Sequence, residues 1–346
     1  MRSLKKLLRS NFFIRLAHWE YWPFGIIQFP FFIYYLWLSL RAKSLLFFSA
    51  SNPGIVMGGM LGESKYDVLK LVPEQYKPNT ILLRYPFSYK QVLAALYENG
   101  FKFPVILKPD LGERGFMVKR VFNEKGVEDY MKKIEADILI QELIDLDVEC
   151  GVFYTRFPNE RDGKVTSLVL KEMLTVTGDG ISTLQELIQD KPRAKLQWEV
   201  LKDVYAEKLI TLIPDGEIVE LNLIGNHCLG TKFLNGEHLI NSTLSQTFDS
   251  ISKQIDGFYF GRYDLRCASI EDLYQGNVKI MELNGCGAEP SHIYDPGFSL
   301  WKALVILSNH WKNMFTISVQ NKNRGATYIP FREGRLIYRK FKSAVQ

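Results

Sequence analysis

The sequence is poor in the residues that build many familiar sites. Its four cysteines, Cys150, Cys228, Cys267 and Cys286, are widely spaced and form no CxxC, which argues against a disulfide framework and fits a reducing compartment. Cys286 reads as a small buried residue rather than a reactive thiol. The five histidines, His18, His227, His238, His292 and His310, are scattered, so a histidine-based metal or acid–base centre is not expected. No Ser/His/Asp or Cys/His constellation, zinc pattern or RNA-binding signature stands out. The net charge of +5, from 43 basic and 38 acidic residues, is modest and dispersed except at the two ends, and does not argue for nucleic acid. GxGxxG and GK[ST] are both absent, which removes the usual dinucleotide and P-loop signatures. No internal repeat or low-complexity linker is present. What remains is a globular composition, 47% hydrophobic and 23% charged, in a chain of 346 residues, long enough for two or more lobes.

Charge is also missing locally. A basic start (Arg2, Lys5, Lys6, Arg9, Arg15) leads into WPFGIIQFPFFIYYLWLSL, Trp22 to Leu40, which carries none, and Arg41 and Lys43 follow. The run is near the length of a membrane span, and its Trp and Tyr content suits a bilayer interface. No small-residue cleavage site follows it, so a signal peptide is not expected. Both flanks are basic, and Pro23 and Pro30 would break or kink a straight helix. An interfacial or re-entrant hairpin on the inner face of a membrane suits residues 22–40 better than a spanning helix. An aromatic helix that caps the core or forms a homodimer contact fits as well.

Further on, Ser44 to Ser51, SLLFFSAS, reads as a buried strand, and Asn52-Pro53-Gly54 as a turn. Gly58, Gly59 and Gly62 precede a helical run from Lys65 to Leu71, so residues 44–100 read as a small α/β subdomain. Pro78 to Leu83 reads as a strand, and Tyr89 to Asn99 as a helix closed by Gly100. In FPVILKPDLGERGFMVKRV, Phe103 to Val121, a strand delivers Lys108, and a loop holding Gly112 and Gly115 returns into a second strand. Backbone amides of such a loop approach phosphates closely because glycine leaves room. Gly126 to Ala136 reads as an amphipathic helix and Ile138 to Gln141 as a strand. Glu142 and Glu149 then flank a turn that has the character of a linker between lobes.

The chemistry concentrates in FGRYDLRCASIEDLYQGNVKIMELNGCGAEP, Phe260 to Pro290. Arg262 and Asp264 are two apart and share one face of a strand; Glu282 and Asn284 repeat the spacing on a second strand. If the strands pair, Asp264, Glu282 and Asn284 converge with Arg262 nearby. Two carboxylates and an amide oxygen are hard ligands that suit Mg²⁺ held partly by substrate phosphates. The chain closes with a helix over Phe298 to Val319 and a basic tail from Arg332 to Lys342. That tail reads as solvated, and would also suit an anionic membrane surface.

The order KPxxGxxG, QELID…E, RxD and ELN, from Gly58 to Pro290, resembles the ATP-grasp superfamily of carboxylate–amine ligases. Leu170 to Ile188, LKEMLTVTGDGISTLQELI, and Leu221 to Phe233, LNLIGNHCLGTKF, are similar to segments of cyanophycin synthetase-like enzymes. The metal-binding ending is shared with D-alanine–D-alanine ligases. The resemblance implies an α+β, ATP-grasp fold over residues 101–330, two α+β lobes holding ATP between them. The apolar N-terminal segment, residues 1–43, would precede it and the tail 331–346 would follow.

It further implies that Lys108 contacts the ATP phosphates beneath a loop of Gly112 and Gly115, with Lys65 as a second contact. Glu142 would lie at the adenine-binding hinge and Glu149 on the ribose. Lys171 would reach the γ-phosphate, and Arg262 would stabilise the transferred phosphoryl group. Mg²⁺ would be held by Asp264, Glu282 and Asn284. Asn226, His227, Thr231 and Lys232 would line the acceptor pocket. The reaction implied is activation of a small-molecule carboxylate as an acyl phosphate and its capture by an amine; an inactive ATP-binding regulator docked at a membrane is the rival. The chain departs from the family pattern in two places. DLGERG replaces a serine- or histidine-rich loop, leaving backbone contacts to phosphate, and GCGAEP replaces TxPG, which leaves the acceptor open.

Overall fold

The computed structural model describes residues 10–112, 115–222 and 225–345. Arg2, Lys5, Lys6 and Arg9 of the basic start, Glu113 and Arg114 of the glycine loop, and Leu223 and Ile224 lie outside the described residues. Strands β1 (Thr80–Leu83), β2 (Val105–Pro109), β3 (Lys119–Val121) and β4 (Ile138–Glu142) form an antiparallel sheet in the order β1-β4-β2-β3. The two-residue period of the strands sorts their side chains. Val105, Leu107, Ile138 and Ile140 pack against helices Tyr89–Glu98 and Glu124–Met131 through Val92, Leu96, Val127 and Tyr130. Both helices start on side-chain caps, a Ser88/Gln91 capping box and Asn123 accepting from the Gly126 N–H at 3.0 Å. Lys108 and Gln141, out of phase with that core, project from the opposite face.

Residues 143–147 cross to a second sheet. It begins with β5 (Val148–Thr155) and β6 (Lys164–Glu172); an antiparallel ribbon of β7 (Thr175–Thr177) and β8 (Ile218–Glu220) follows. The ribbon and helices Leu184–Asp190 and Trp198–Val204 share a core of Val176, Leu184, Ile188 and Leu201. The sheet is completed by β9 (Lys232–Asn235), β10 (Phe260–Cys267) and β11 (Val278–Asn284), in the order β11-β10-β5-β6-β9, antiparallel throughout. Its inner face buries Cys150, Val152, Tyr154, Leu168, Tyr263, Leu265 and Ile280 on Leu244, Phe248 and Ile251 of helix Ser242–Ser252. The α+β class and the two lobes, each built on an antiparallel sheet, are those expected from the sequence. Strand β1, from the segment read as a small α/β subdomain, pairs with β4 in the first sheet.

Two local expectations are overturned. SLLFFSAS is not a strand: Phe47–Ala50 is a buried 3-10 turn, with the Ser49 N–H on Leu46 O and the Ser51 N–H on Phe48 O. Periodicity cannot separate a short, fully buried apolar run into strand or helix. Residues 22–40 do not fold back on themselves; a single helix runs Phe24–Ala42 through Pro30. Pro30 stands on the exposed side, as does Ile26, whose carbonyl loses its helical partner there. Ile27 and Phe31 bury against Ile293, Ala303 and Leu307, and Leu38 and Ala42 against Phe47, Met314 and Ile317, so helix Leu300–Asn323 is its support. Its other side exposes Ile26, Phe29, Ile33 and, at 78%, Leu40. Among the described residues no helix is long and apolar enough to cross a membrane. The basic tail is a helix as well, Phe331–Val345; Gly334 rests on Leu46 and Met57, and Ile337 against Gly62.

Candidate active site

The outer face of the second sheet gathers the charged residues. Arg262, Asp264 and Arg266 alternate with the core residues Tyr263, Leu265 and Cys267 on β10. On β11 the core residues are Val278, Ile280 and Leu283, which breaks the period of two. A β-bulge accounts for it. Asp264 stands opposite Glu282 and Arg262 opposite Asn284, but Leu265 stands opposite Ile280, so Met281 is the extra residue. The bulge reverses the phase of the strand. Without it Glu282 and Asn284 would point into the core; with it both join Asp264.

Asp264 is the hub of this face. Its Oδ2 accepts from Arg262 Nε at 3.2 Å, from Arg262 Nη2 at 3.0 Å and from Asn284 Nδ2 at 2.8 Å. Its Oδ1 lies 3.0 Å from Lys171 Nζ. Burial alone would push this carboxyl up, but Arg262 and Lys171 outweigh it and hold the group down to about 2. Lys171, from β6, also reaches Glu149 Oε1 at 3.3 Å, and the two carboxylates keep its ammonium protonated against burial. Glu149 Oε2 takes a fork from Arg266, at 2.9 Å from Nε and 2.7 Å from Nη2. Arg262 Nη1 donates to the Glu289 carbonyl at 3.2 Å and to Ser291 Oγ at 2.8 Å. Gly151 leaves the space for this packing: a Cβ there would lie 2.9 Å from Val169 Cγ1 and 3.2 Å from Arg262 Cδ.

Lys108 approaches from the first sheet. Its Nζ donates to Gln141 Oε1 at 3.0 Å and to the carbonyl of the bulge residue Met281 at 3.3 Å. Gln141 Nε2 donates to the same carbonyl at 3.3 Å. Burial pushes the Lys108 ammonium down, and nearby Glu282 works against it. Glu282 itself makes no hydrogen bond or salt bridge among the described residues. Two carboxylates face each other across a strand pair, one of them without a donor, and Asn284 gives its amide N–H to Asp264, leaving its oxygen free. That donor set fits a hard divalent cation. Among the described residues no three His, Cys, Asp or Glu cluster as a metal site; this one has two carboxylates and an amide.

The remaining sequence candidates are dispersed around this centre. Lys65 Nζ is bonded to the carbonyls of Asp110, at 3.4 Å, and Gly112, so it braces the glycine loop. Gly112 and Gly115, with φ of 136° and 75°, give that loop its left-handed turns. Glu142 is exposed where β4 leaves the first sheet, its carboxylate accepting from the Asn79 N–H at 3.1 Å. The 225–232 loop touches the centre at Gly225, whose Cβ would collide with Glu149 Oε1. Beyond that the Asn226 side chain caps the Cys228 N–H at 2.8 Å, and Lys232 pairs with Glu172 at 3.4 Å. Buried Thr231 gives its carbonyl to Arg193 at 3.3 Å. His227 is packed among Tyr21, Phe233 and Tyr294; burial, with Arg193 nearby, pushes it down to about 4. Sequence reasoning missed Arg266, Gln141, Gly151, Glu289 and Ser291. The same-face spacing that selected Arg262 and Asp264 extends to Arg266, and the spacing from Glu149 extends to Gly151. Nothing in the sequence signals Glu289 or Ser291, which come into place only by tertiary packing.

No protein-family model and no curated protein matches the chain. Among solved structures it is similar to a bifunctional glutathione synthetase from Pasteurella multocida, at 15% identity and a TM-score of 0.37, over 70% of this chain and 35% of that one. The chain thus spans about a third of the length of that protein. It is similar to a D-alanine–D-alanine ligase from Bacillus anthracis, at 14% identity and a TM-score of 0.42, over 79% of this chain and 72% of that one. It is similar also to the VanG D-Ala:D-Ser ligase from Enterococcus faecalis, at 13% identity and a TM-score of 0.42, over 74% and 64%.

Proposed function

We propose that the protein is an ATP-dependent ligase that joins a carboxylate to an amine, of the ATP-grasp kind. The observation that carries this reading is the convergence of Arg262, Asp264, Glu282 and Asn284 on one sheet face with Lys108 reaching it from the other sheet. Phosphoryl transfer depends on positioning and on neutralising spread negative charge. In this reading the triphosphate lies between the sheets, where Lys108, Lys171 and Arg262 face its oxygens and the amides around Gly112 and Gly115 close over it. Asp264, Glu282 and Asn284 hold Mg²⁺, which when bound supplies further neutralisation of the phosphates. A carboxylate oxygen of the acid substrate takes the γ-phosphoryl group and ADP leaves. The amine, an amino acid, peptide or related substrate, then forms the C–N bond, and phosphate leaves with the C–O electron pair and the proton that the amine gives up. Arg262, fixed by Asp264, the Glu289 carbonyl and Ser291, needs no reorganisation to meet the charge that develops.

The test is phosphate release from ATP with pools of carboxylates and amines, with and without Mg²⁺, for the wild type and Glu282→Ala. Release stimulated by one pool, dependent on Mg²⁺ and lost in the variant, is the expected result. A protein that binds no ATP refutes the reading.

A further inference from the structure

Helix Phe24–Ala42, the turn Phe47–Ala50 and helix Phe331–Val345 line a cavity of about 520 Å³ that is open to the surface. That lies within the roughly 300–1,000 Å³ of small-molecule sites. Phe32, Leu46, Met60, Leu61, Trp311 and Tyr338 line it, and Gln28 and Arg335 are its most polar side chains. Those two give the cavity a direction. Gln28 Nε2 donates to the Glu289 carboxylate, and the Glu289 carbonyl accepts from Arg262 at 3.2 Å, so this wall is two contacts from the charged centre. A second connection runs through the backbone. Beside the lining residues Met57 and Met60, the Gly58 and Gly59 carbonyls accept from the N–H groups of Cys286, at 3.0 Å, and Gly287, at 2.8 Å, immediately after Asn284. Arg335, also among the lining residues, is exposed and makes no hydrogen bond or ion pair among the described residues. Its helix carries Arg332, Arg335, Arg339, Lys340 and Lys342 against one acid, Glu333. The rim is apolar too, with Phe32, Phe331 and Tyr338 all at least half exposed.

We propose that the carboxylate substrate is a long-chain amphiphile whose alkyl chain fills this cavity and whose carboxylate reaches the Arg262 centre. The proposal rests on the ligase reading for the chemistry but not for the binding. The side chains of an amino acid or dipeptide fill only part of an apolar volume of this size, whereas an alkyl chain gains free energy with each methylene it buries. The cationic helix beside the cavity favours the approach of an anionic amphiphile over a cationic one.

Calorimetric titration of the full chain with straight-chain carboxylates of increasing length, below their micellar concentrations, tests it. Affinity is expected to rise about fourfold per added methylene until the cavity is full. Leu61→Trp, which occupies the cavity, is expected to weaken the long chains by about tenfold or more with ATP binding unchanged. Affinity independent of chain length, equal affinity for alkylamines of the same length, or indifference to Leu61→Trp would each overturn the proposal. So would phosphate release stimulated as well by an amino acid as by a long-chain acid. Chain binding without any ATP binding would leave the cavity assignment standing and remove the ligase reading, so the two failures are distinct.

Discussion

Replacing Lys171 by methionine removes one cation and leaves two buried carboxylates. The side chains of Lys171, Glu149 and Asp264 are all at most a tenth exposed. At 3.0 Å and 3.3 Å the two attractions are each about 5 kcal/mol at an effective dielectric constant of about 20. Desolvation of the lysine offsets much of this, and Arg262 and Arg266 continue to serve the two acids. The net loss is therefore set at about 3 kcal/mol, the lower end for breaking a buried pair from one side. Urea unfolding at neutral pH, with a slope of about 3 kcal/mol per molar, should show the midpoint lowered by about 1 M. The pH dependence carries a sign. Asp264 is held below its unfolded value of 3.8, down to about 2, so its stabilisation is complete above pH 3.8 and is lost as pH falls through about 2. The gap between wild type and variant should be constant from neutral to mildly acidic pH and narrow only below about pH 4. Adding Glu149→Gln to the variant should cost less than the sum of the two single changes, because the second acid then needs no partner. A loss under about 1 kcal/mol, or strict additivity, would show that Lys171 is not the charge that binds these two acids together.

Three further outcomes follow from the geometry. Gly151→Ala drives a methyl group into Val169 and Arg262 and should cost about 1–3 kcal/mol in thermal or chemical unfolding. It should also lower ATP-dependent phosphate release at least about tenfold by displacing the guanidinium. Asn52→Leu should destabilise by about 4 kcal/mol in urea unfolding. The buried amide serves Gly58 and Phe260 carbonyls as donor and the Tyr259 and Phe260 N–H groups as acceptor; without it the Gly58 carbonyl keeps the Cys286 N–H, but the other three groups lose this partner. His227 is kept neutral down to about pH 4 while its unfolded form takes a proton near 6.5, so its burial favours the fold above pH 6.5 and progressively less as pH falls through 4. His227→Gln should flatten the acid limb of the stability curve between those values by up to about 1.4 kcal/mol per pH unit. An unchanged slope would show that the ring is solvated.

The charged face of the second sheet was legible because it follows a simple rule, two-residue alternation, on strands whose other residues are apolar. Arg262 with Asp264 and Glu282 with Asn284 could be paired from spacing alone, as could Lys108 at its strand end. The bulge at Met281 was written in the sequence too, in the Val278, Ile280, Leu283 spacing, but a broken period reads as noise until the partner strand is known. Asn52 was read as part of a turn, which it is. Its role as a four-way buried junction depends on β10, some two hundred residues away. Pro30 misled for a reason of environment: a proline is costly inside a helix when the freed carbonyl is buried, and here it faces outward. The C-terminal helix is obscured because its charges suggest solvent, while its apolar side needs partners that local sequence does not reveal.

The Met281 carbonyl, placed by the bulge, is the single acceptor on which donors from Lys108 and Gln141 of the opposite sheet meet. It works as a latch between the lobes. Pulling the sheets apart forfeits two long hydrogen bonds, on the order of 1–3 kcal/mol together, a modest barrier to admitting a ligand. The latch is also asymmetric in charge: an ammonium and an amide N–H rest on a neutral oxygen that satisfies the ammonium poorly. An incoming anion can take over Lys108 with a charge-assisted bond, stronger by about twofold than the one it replaces. Closing without an anion is then the weaker state, and occupancy by one becomes the condition for the two lobes to hold each other firmly.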